Sequence, residues 1–411
     1  MSEIREVRAR KILDSRGNPT IKAIVYTGDA VASACAPSGA SVGRFEAQAF
    51  PRGGVDESIN MIESLSNVLK GMSVDDQASV DEAIRMFDGT ENFSRLGGNA
   101  AIATSVAVAK AAAAIRGIPL CKYFSAQLET PFPLSNIIGG GVHTKGKSID
   151  FQEFLVLPVG ARSFSEAVDV NVMVHREVSY MLTARLPKYV LGKNDEGAWA
   201  APLSVREALE ILSSAAQKVE GETGVKIRIG IDAAASGIWS SEKKAYVYRK
   251  EGFEKTSEQQ LEYISSLIEE YGIAYFEDPF HEEDFDSFAK LKTSLGGKCI
   301  VTGDDLTVTN EKRIRKATES NAINAVIIKP NQIGTLTDTR MAVELALSKK
   351  ITPVASHRSG ETCDPALAHI AIGMKCPVIK IGIMGGERMA KINEIMRIEE
   401  ELRVKMAKPP V

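Results

Sequence analysis

Along the second half of the chain, short apolar runs repeatedly end in one charged or ionisable residue followed by a turn. Tyr275-Phe276 leads into Glu277-Asp278-Pro279, and Val301-Thr302-Gly303 into Asp304-Asp305. Ile327-Ile328 leads into Lys329-Pro330, and a further run ends at Ser356-His357-Arg358-Ser359-Gly360-Glu361-Thr362. The ionisable residues at 277, 304, 329 and 357 are 25 to 28 positions apart. A short strand, a polar loop and a helix of about three turns together use about 25 to 30 residues, so this spacing predicts successive βα units. Strands buried on both faces read as continuous apolar runs rather than alternating ones. If such strands close into a barrel, the polar residues at their carboxyl ends converge on one rim, where barrel enzymes keep their chemistry.

The first third of the chain reads differently. Ile4 to Leu13 and Thr20 to Cys35 are predicted strand, joined by the turn Asp14-Ser15-Arg16-Gly17-Asn18-Pro19. Val55 to Lys70, Val74 to Phe87 and Asn99 to Arg116 carry apolar residues at helical spacing. Between strands and helices lies a loop of small and hydroxyl residues, 36–47, of a kind that can close over a ligand. Strands followed by clustered helices predict an α+β domain over residues 1–123, with the proline-marked segment 119–133 as its boundary. Residues 124–411 form the second domain. There, Pro133 to Ile138, Phe151 to Pro158, Lys226 to Asp232 and Val378 to Gly382 are further predicted strands. Ser163 to Leu186 reads as a helix pair, Glu387 to Met406 as a long closing helix, and Lys408-Pro409-Pro410-Val411 as a loose tail. The predicted fold class is α/β, an N-terminal α+β domain followed by a TIM-like (β/α)8 barrel.

Composition narrows the function classes. The 411 residues leave room for a barrel of about 250 residues beside a second domain. Fifty Lys and Arg against 53 Asp and Glu give a net charge of −3, too balanced to predict nucleic-acid or membrane partners. Five scattered cysteines without a C-x-x-C pair read as reduced thiols rather than a disulfide frame or zinc site. The N-terminus has no apolar signal core, and the Ala-rich run 100–115 is broken by Lys110. A cytoplasmic location is expected.

Three carboxylates on successive strand ends, Asp232, Glu277 and Asp304, suit a hard divalent cation such as Mg²⁺. Lys329 and Lys380 are expected across the rim from them. A lysine near a metal and a second ammonium has its pKa drawn down toward use as a base. Arg358 and Ser359, after His357, offer donors for a phosphate or carboxylate. Glu153 and Glu196 are candidate acids, each equally readable as a cap or surface carboxylate.

At these residues the chain resembles the enolase family. The likeness runs from Asp14-Ser15-Arg16-Gly17-Asn18-Pro19-Thr20 to Arg397-Ile398-Glu399-Glu400. It is most specific in Pro37-Ser38-Gly39-Ala40-Ser41, Glu277-Asp278-Pro279-Phe280, Gly303-Asp304-Asp305-Leu306, Lys329 with Asn331 to Thr335, and Ser356 to Thr362. The resemblance implies a barrel of the enolase variant type, in which one early strand runs against the rest. It implies reversible dehydration of 2-phospho-D-glycerate to phosphoenolpyruvate, two Mg²⁺ per active site, and a homodimer or larger homo-oligomer. Asp232, Glu277 and Asp304 would hold the first ion, and Ser41 would help hold the second. Lys329 would take the C2 proton, and Lys380 would stabilise the charge left behind. Glu196, supported by Glu153 and His143, would assist departure of the C3 hydroxyl. Gln152, Arg358 and Ser359 would hold the substrate, with His357 beside them. Two other readings accompany this one: a Mg²⁺-dependent lyase of the same superfamily acting on another acid, and a non-catalytic binding or scaffold protein on the same fold.

The chain departs from the family pattern in three places. Asn194-Asp195-Glu196-Gly197-Ala198-Trp199-Ala200-Ala201-Pro202 stands where the family has Gly-Asp-Glu-Gly-Gly-Phe-Ala-Pro, which bears on where Glu196 points. Thr144-Lys145-Gly146-Lys147 adds bulk and charge near His143. Ile381-Gly382 and Gly385-Gly386-Glu387-Arg388 replace the family's Thr-Gly and Arg-Ser-Glu-Arg.

Overall fold

The computed structural model describes residues 2–40, 42–144 and 148–410. The chain opens with an antiparallel meander of β1 (Ile4–Leu13), β2 (Pro19–Thr27) and β3 (Val31–Cys35). The stretch read as one strand from Thr20 to Cys35 is thus two strands. Thr27 Oγ accepts from the backbone N–H groups of Asp29 and Ala30 and turns the chain between them. Ile21, Ala23 and Val25, alternate residues of β2, are fully buried, as a sheet with one covered face requires. That face is covered by α1 (Gly54–Leu69) and α3 (Gly98–Ile115), and α2 (Gln77–Asp88) packs beside them.

By length and composition α3 is apolar enough to cross a membrane, yet it is almost wholly buried inside the protein. Its alanines let β2, β3 and the barrel approach closely. Lys110, the charge within this run, donates from Nζ to Ser33 O at 3.1 Å and pairs with Asp364 of the second domain at 2.6 Å.

The second domain is a closed eight-stranded barrel. Its strands are β4 (Phe132–Gly139), β5 (Glu153–Leu157), β6 (Arg228–Asp232), β7 (Tyr275–Glu277), β8 (Ile300–Gly303), β9 (Ala325–Ile328), β10 (Thr352–Ser356) and β11 (Val378–Lys380). Parallel pairing of β11 with β4 closes it. Only β5 is antiparallel to both of its neighbours, so its first residue lies at the rim where the other strands end.

The barrel interior is plugged by a separate apolar cluster. It takes Phe132, Leu134, Leu155, Leu157, Tyr275, Ile300, Ala325, Ile327, Val354 and Val378 from seven strands. The eighth strand, β6, contributes Gly230, whose missing side chain leaves room for Tyr275: a Cβ there would lie 3.2 Å from that residue.

Two boundaries differ from the sequence reading. Phe164–Arg185 is one 22-residue helix, not a pair, because no glycine or proline interrupts it. The closing helix ends at Leu402, where Arg403 turns left-handed at φ 51°. Lys405–Met406, expected as the end of that helix, instead pairs in parallel with Glu129–Thr130 beside the barrel's entry.

Candidate active site

Side chains two residues apart on a strand share a face. Moving two residues rimward from the plug, the same inward columns carry Asn136, Glu153, Asp232, Glu277, Thr302, Lys329, Ser356 and Lys380. Every strand changes from apolar to polar at this height, which floors the site with groups that the dry plug below cannot screen.

Lys380 stands at the centre of this floor. Its Nζ is 2.8 Å from Asp232, 2.8 Å from Glu277 and 3.1 Å from Glu153. Lys329 pairs with Asp304. The lysines are therefore set among the acids, not across the rim from them. Those acids also set their ionisation. Burial works to discharge Lys380, but Asp232, Glu153 and Glu277 outweigh it and hold the ammonium well above its ordinary range. Asp304 does the same for Lys329. Glu277 is pushed up to about 8 by burial and the charge of Asp232, and Tyr275 Oη donates to it at 2.7 Å from inside the barrel.

Asp232, Glu277 and Asp304, three acids, meet two ammoniums here. An excess of buried carboxylate with hard oxygen donors fits Mg²⁺. Asp304 also belongs to a set of carboxylates with Asp278 and Asp305 whose donor atoms lie within 4.8 Å of one another. Asp278, at φ 41°, accepts from the backbone N–H of Asp304 at 3.0 Å and of Asp305 at 2.7 Å, and so braces the loop that presents Asp304. Asp232, Glu277 and Asp304 do not themselves form such a set among the described residues.

Across the floor, Glu196 projects inward despite its altered loop. Asn194 Oδ1 accepts from the N–H groups of Glu196 and Ala198, both at 3.0 Å, and closes the turn. Trp199, in place of a smaller aromatic, stacks on His175 with ring centroids 4.9 Å apart and donates to the His175 carbonyl. Gly197 sits at φ 81°, where a Cβ would strike Met384 O, so this glycine is the one the turn requires. Asn136 donates to Glu196 at 3.0 Å. His143 Nδ1 and His357 Nε2 each lie 3.5 Å from it, and His143 is 4.0 Å from Glu153. The two carboxyls are pushed apart. Burial, then the charge of Glu196, holds Glu153 well above its usual range. Burial opposes ionisation of Glu196 too, but the two histidines and the Arg388 guanidinium hold it well below. The cluster thus keeps charge on Glu196 and a proton on Glu153.

The first domain completes the remaining side. Ser38 and Gly360 exchange backbone hydrogen bonds at 2.7 and 2.8 Å, and Ala40 N–H donates to Ser359 Oγ at 2.6 Å. Arg358 meets Glu46 through both terminal nitrogens, at 2.9 and 3.3 Å, and Asn331 at 3.1 Å. The guanidinium expected at the substrate is held in place by a carboxylate from the first domain. Glu46→Ala should lower stability by about 3–5 kcal/mol, because it breaks a buried ion pair. Chemical denaturation reads this directly, and an unchanged midpoint would mean that other groups carry the arginine's charge.

All nine residues expected to act on substrate (His143, Gln152, Glu153, Glu196, Lys329, His357, Arg358, Ser359 and Lys380) line one narrow cavity, with Gly39, Ala40 and Ser356. Asp232, Glu277 and Asp304 stand behind the lysines. Ser41 and Lys145-Gly146-Lys147 lie outside the described residues. Sequence reasoning passed over Asn136, Glu46, Gln332 and Tyr275. Gln332 donates to both Glu46 and Asp304, at 3.2 and 3.0 Å. Asn136 was recoverable from the two-residue alternation of β4.

Two family models match the chain: "Enolase, N-terminal domain" over residues 4–124 and "Enolase, C-terminal TIM barrel domain" over residues 127–408. The enolase of Archaeoglobus fulgidus is 49% identical over 399 residues, 97% of each chain. That of Methanosphaera stadtmanae is 48% identical over 404 residues, 98% of each. That of Methanothermobacter thermautotrophicus is also 48% identical over 404 residues, covering 98% of this chain and 97% of its own.

Proposed function

The chain belongs to the enolase family, and from that premise we propose how its residues divide the family's reaction. The protein is a Mg²⁺-dependent hydro-lyase that interconverts 2-phospho-D-glycerate and phosphoenolpyruvate. A proton α to a carboxylate is only weakly acidic, so most of the barrier has to be removed by positive charge placed before the reaction begins. The observation that carries the assignment is the single cavity in which a lysine pair faces a split carboxyl pair.

In this reading Lys329 Nζ removes the C2 proton. Lys380 Nζ, fixed by three carboxylates, offers charge to the substrate carboxylate as electron density builds there. Asp232, Glu277 and Asp304 hold one Mg²⁺, and Ser41 helps hold a second. When bound, the ions neutralise the substrate carboxylate and the acids beside both lysines. Glu196 passes to the departing C3 hydroxyl a proton that it takes up from Glu153. Glu153 is the store for that proton, and His143 lies between the two. Gln152, His357, Arg358 and Ser359 seat the substrate, the arginine and serine at its phosphate. A homodimer or larger assembly and a cytoplasmic location belong to the same proposal; the five unpaired cysteines support the latter.

Incubation with 2-phospho-D-glycerate and Mg²⁺ should yield phosphoenolpyruvate, read by its absorbance. Chelator should stop the reaction and excess Mg²⁺ restore it. Absence of metal-dependent product would overturn the proposal.

A further inference from the structure

Arg388 is among the largest side chains buried completely in this protein, and beyond its charge near Glu196 none of the roles above uses it. It sits in the first turn of the helix Gly386–Leu402, within the segment that departs from the family pattern. Its Nη2 donates to two main-chain carbonyls, Asp195 O at 3.0 Å and Ser359 O at 2.8 Å. One belongs to the residue before Glu196 and the other to the loop placed at the substrate phosphate. Nε and Nη1 have no hydrogen-bond partner among the described residues, and the ion pair to Glu387 is long, at 3.8 Å from Nε. A buried guanidinium with two idle donors is a costly way to hold a helix end.

The surroundings show what that cost secures. A Cβ on Gly382 would come within 2.2 Å of the Glu196 carbonyl oxygen and 3.6 Å of Arg388 Nε. One on Gly197 would come within 2.5 Å of Met384 O. The Glu196 peptide is therefore pressed onto segment 382–384, with Arg388 beside it.

We propose that Arg388 is a positioning residue for water loss: it ties the Glu196 turn to the Ser359 loop, so that the loop anchors Glu196 at the departing hydroxyl. The inference rests on the acid role given to Glu196 above. It also explains why a turn with altered residues at 198 and 199 still delivers its carboxylate: the anchor grips the carbonyl of Asp195, ahead of those residues.

The test uses the full-length protein with Mg²⁺ and reads three quantities for Arg388→Met and Arg388→Lys: turnover to phosphoenolpyruvate, KM, and exchange of the C2 proton with solvent. Arg388→Met should lower turnover at least tenfold, leave C2 exchange within twofold, and leave KM within threefold. Arg388→Lys, which can still donate to a carbonyl, should recover most of the turnover. Arg388→Gln, which keeps an amide donor for one carbonyl, should fall between the two and serves if Arg388→Met does not fold. An equal fall in exchange and turnover would overturn the proposal, as would a KM effect alone or no effect. If Glu196→Gln fails to slow water loss, the acid assignment is at fault. If it slows water loss while these variants show no split, the fault lies with Arg388.

Discussion

Lys329→Ala is expected to abolish solvent exchange at C2 of the substrate and to lower turnover by about 10²–10⁴-fold, the range for removing a general base. Lys380 cannot replace it, because its ammonium is locked among Glu153, Asp232 and Glu277 at 2.8 to 3.1 Å. Lys329 has one carboxylate partner, Asp304, so a cation competing for that carboxylate leaves the amine free to take a proton. The decisive measurement is loss of deuterium from C2-labelled 2-phospho-D-glycerate, followed by NMR. Mg²⁺ binding, followed by calorimetry, should persist, since no proposed ligand is removed and Asp304 loses a competing ammonium. Exchange that survives the substitution would place the base elsewhere.

Much of this site can be read from the chain because its residues sit at strand ends of regular spacing. Glu277, Asp304, Lys329 and His357 each end an apolar run, and the βα repeat places them on one rim whatever the helices contain. Pairings between distant loops leave no such trace. Glu46 and Arg358 are 312 positions apart, and nothing in either segment names the other. Lys405–Met406 and Glu129–Thr130 are too short to read as strands until they pair. The surroundings of the lysines were illegible for a related reason. A pKa answers to the nearest charges, and spacing could place both lysines on the rim without showing that Lys380 would fall between three acids. Asn136 shares with Ser135 a run buried along its whole length, so only its two-residue spacing from Leu134 marks it as facing the site.

The altered turn at 194–202 carries Glu196, and it is where the second large effect is expected. Glu196→Gln should slow formation of phosphoenolpyruvate by about 10²–10⁴-fold while C2 exchange continues within a few-fold of the parent rate. The substitution preserves shape. Asn136 can still donate to the amide oxygen, His143 and His357 keep their places, and the Asn194 turn does not use the Glu196 side chain. What the amide cannot do is carry a proton to the leaving oxygen. Proton removal at C2 depends on Lys329 and the positive charge around the carboxylate, so it should run on without the acid. Glu153→Gln should act in the same direction with a comparable effect, because an ionised Glu196 then has no proton to pass on. The two rates are compared on one sample, exchange by NMR and product by absorbance. If Glu196→Gln depresses both equally, the group works in binding or in proton removal, and the acid must be sought among the other residues facing the cavity.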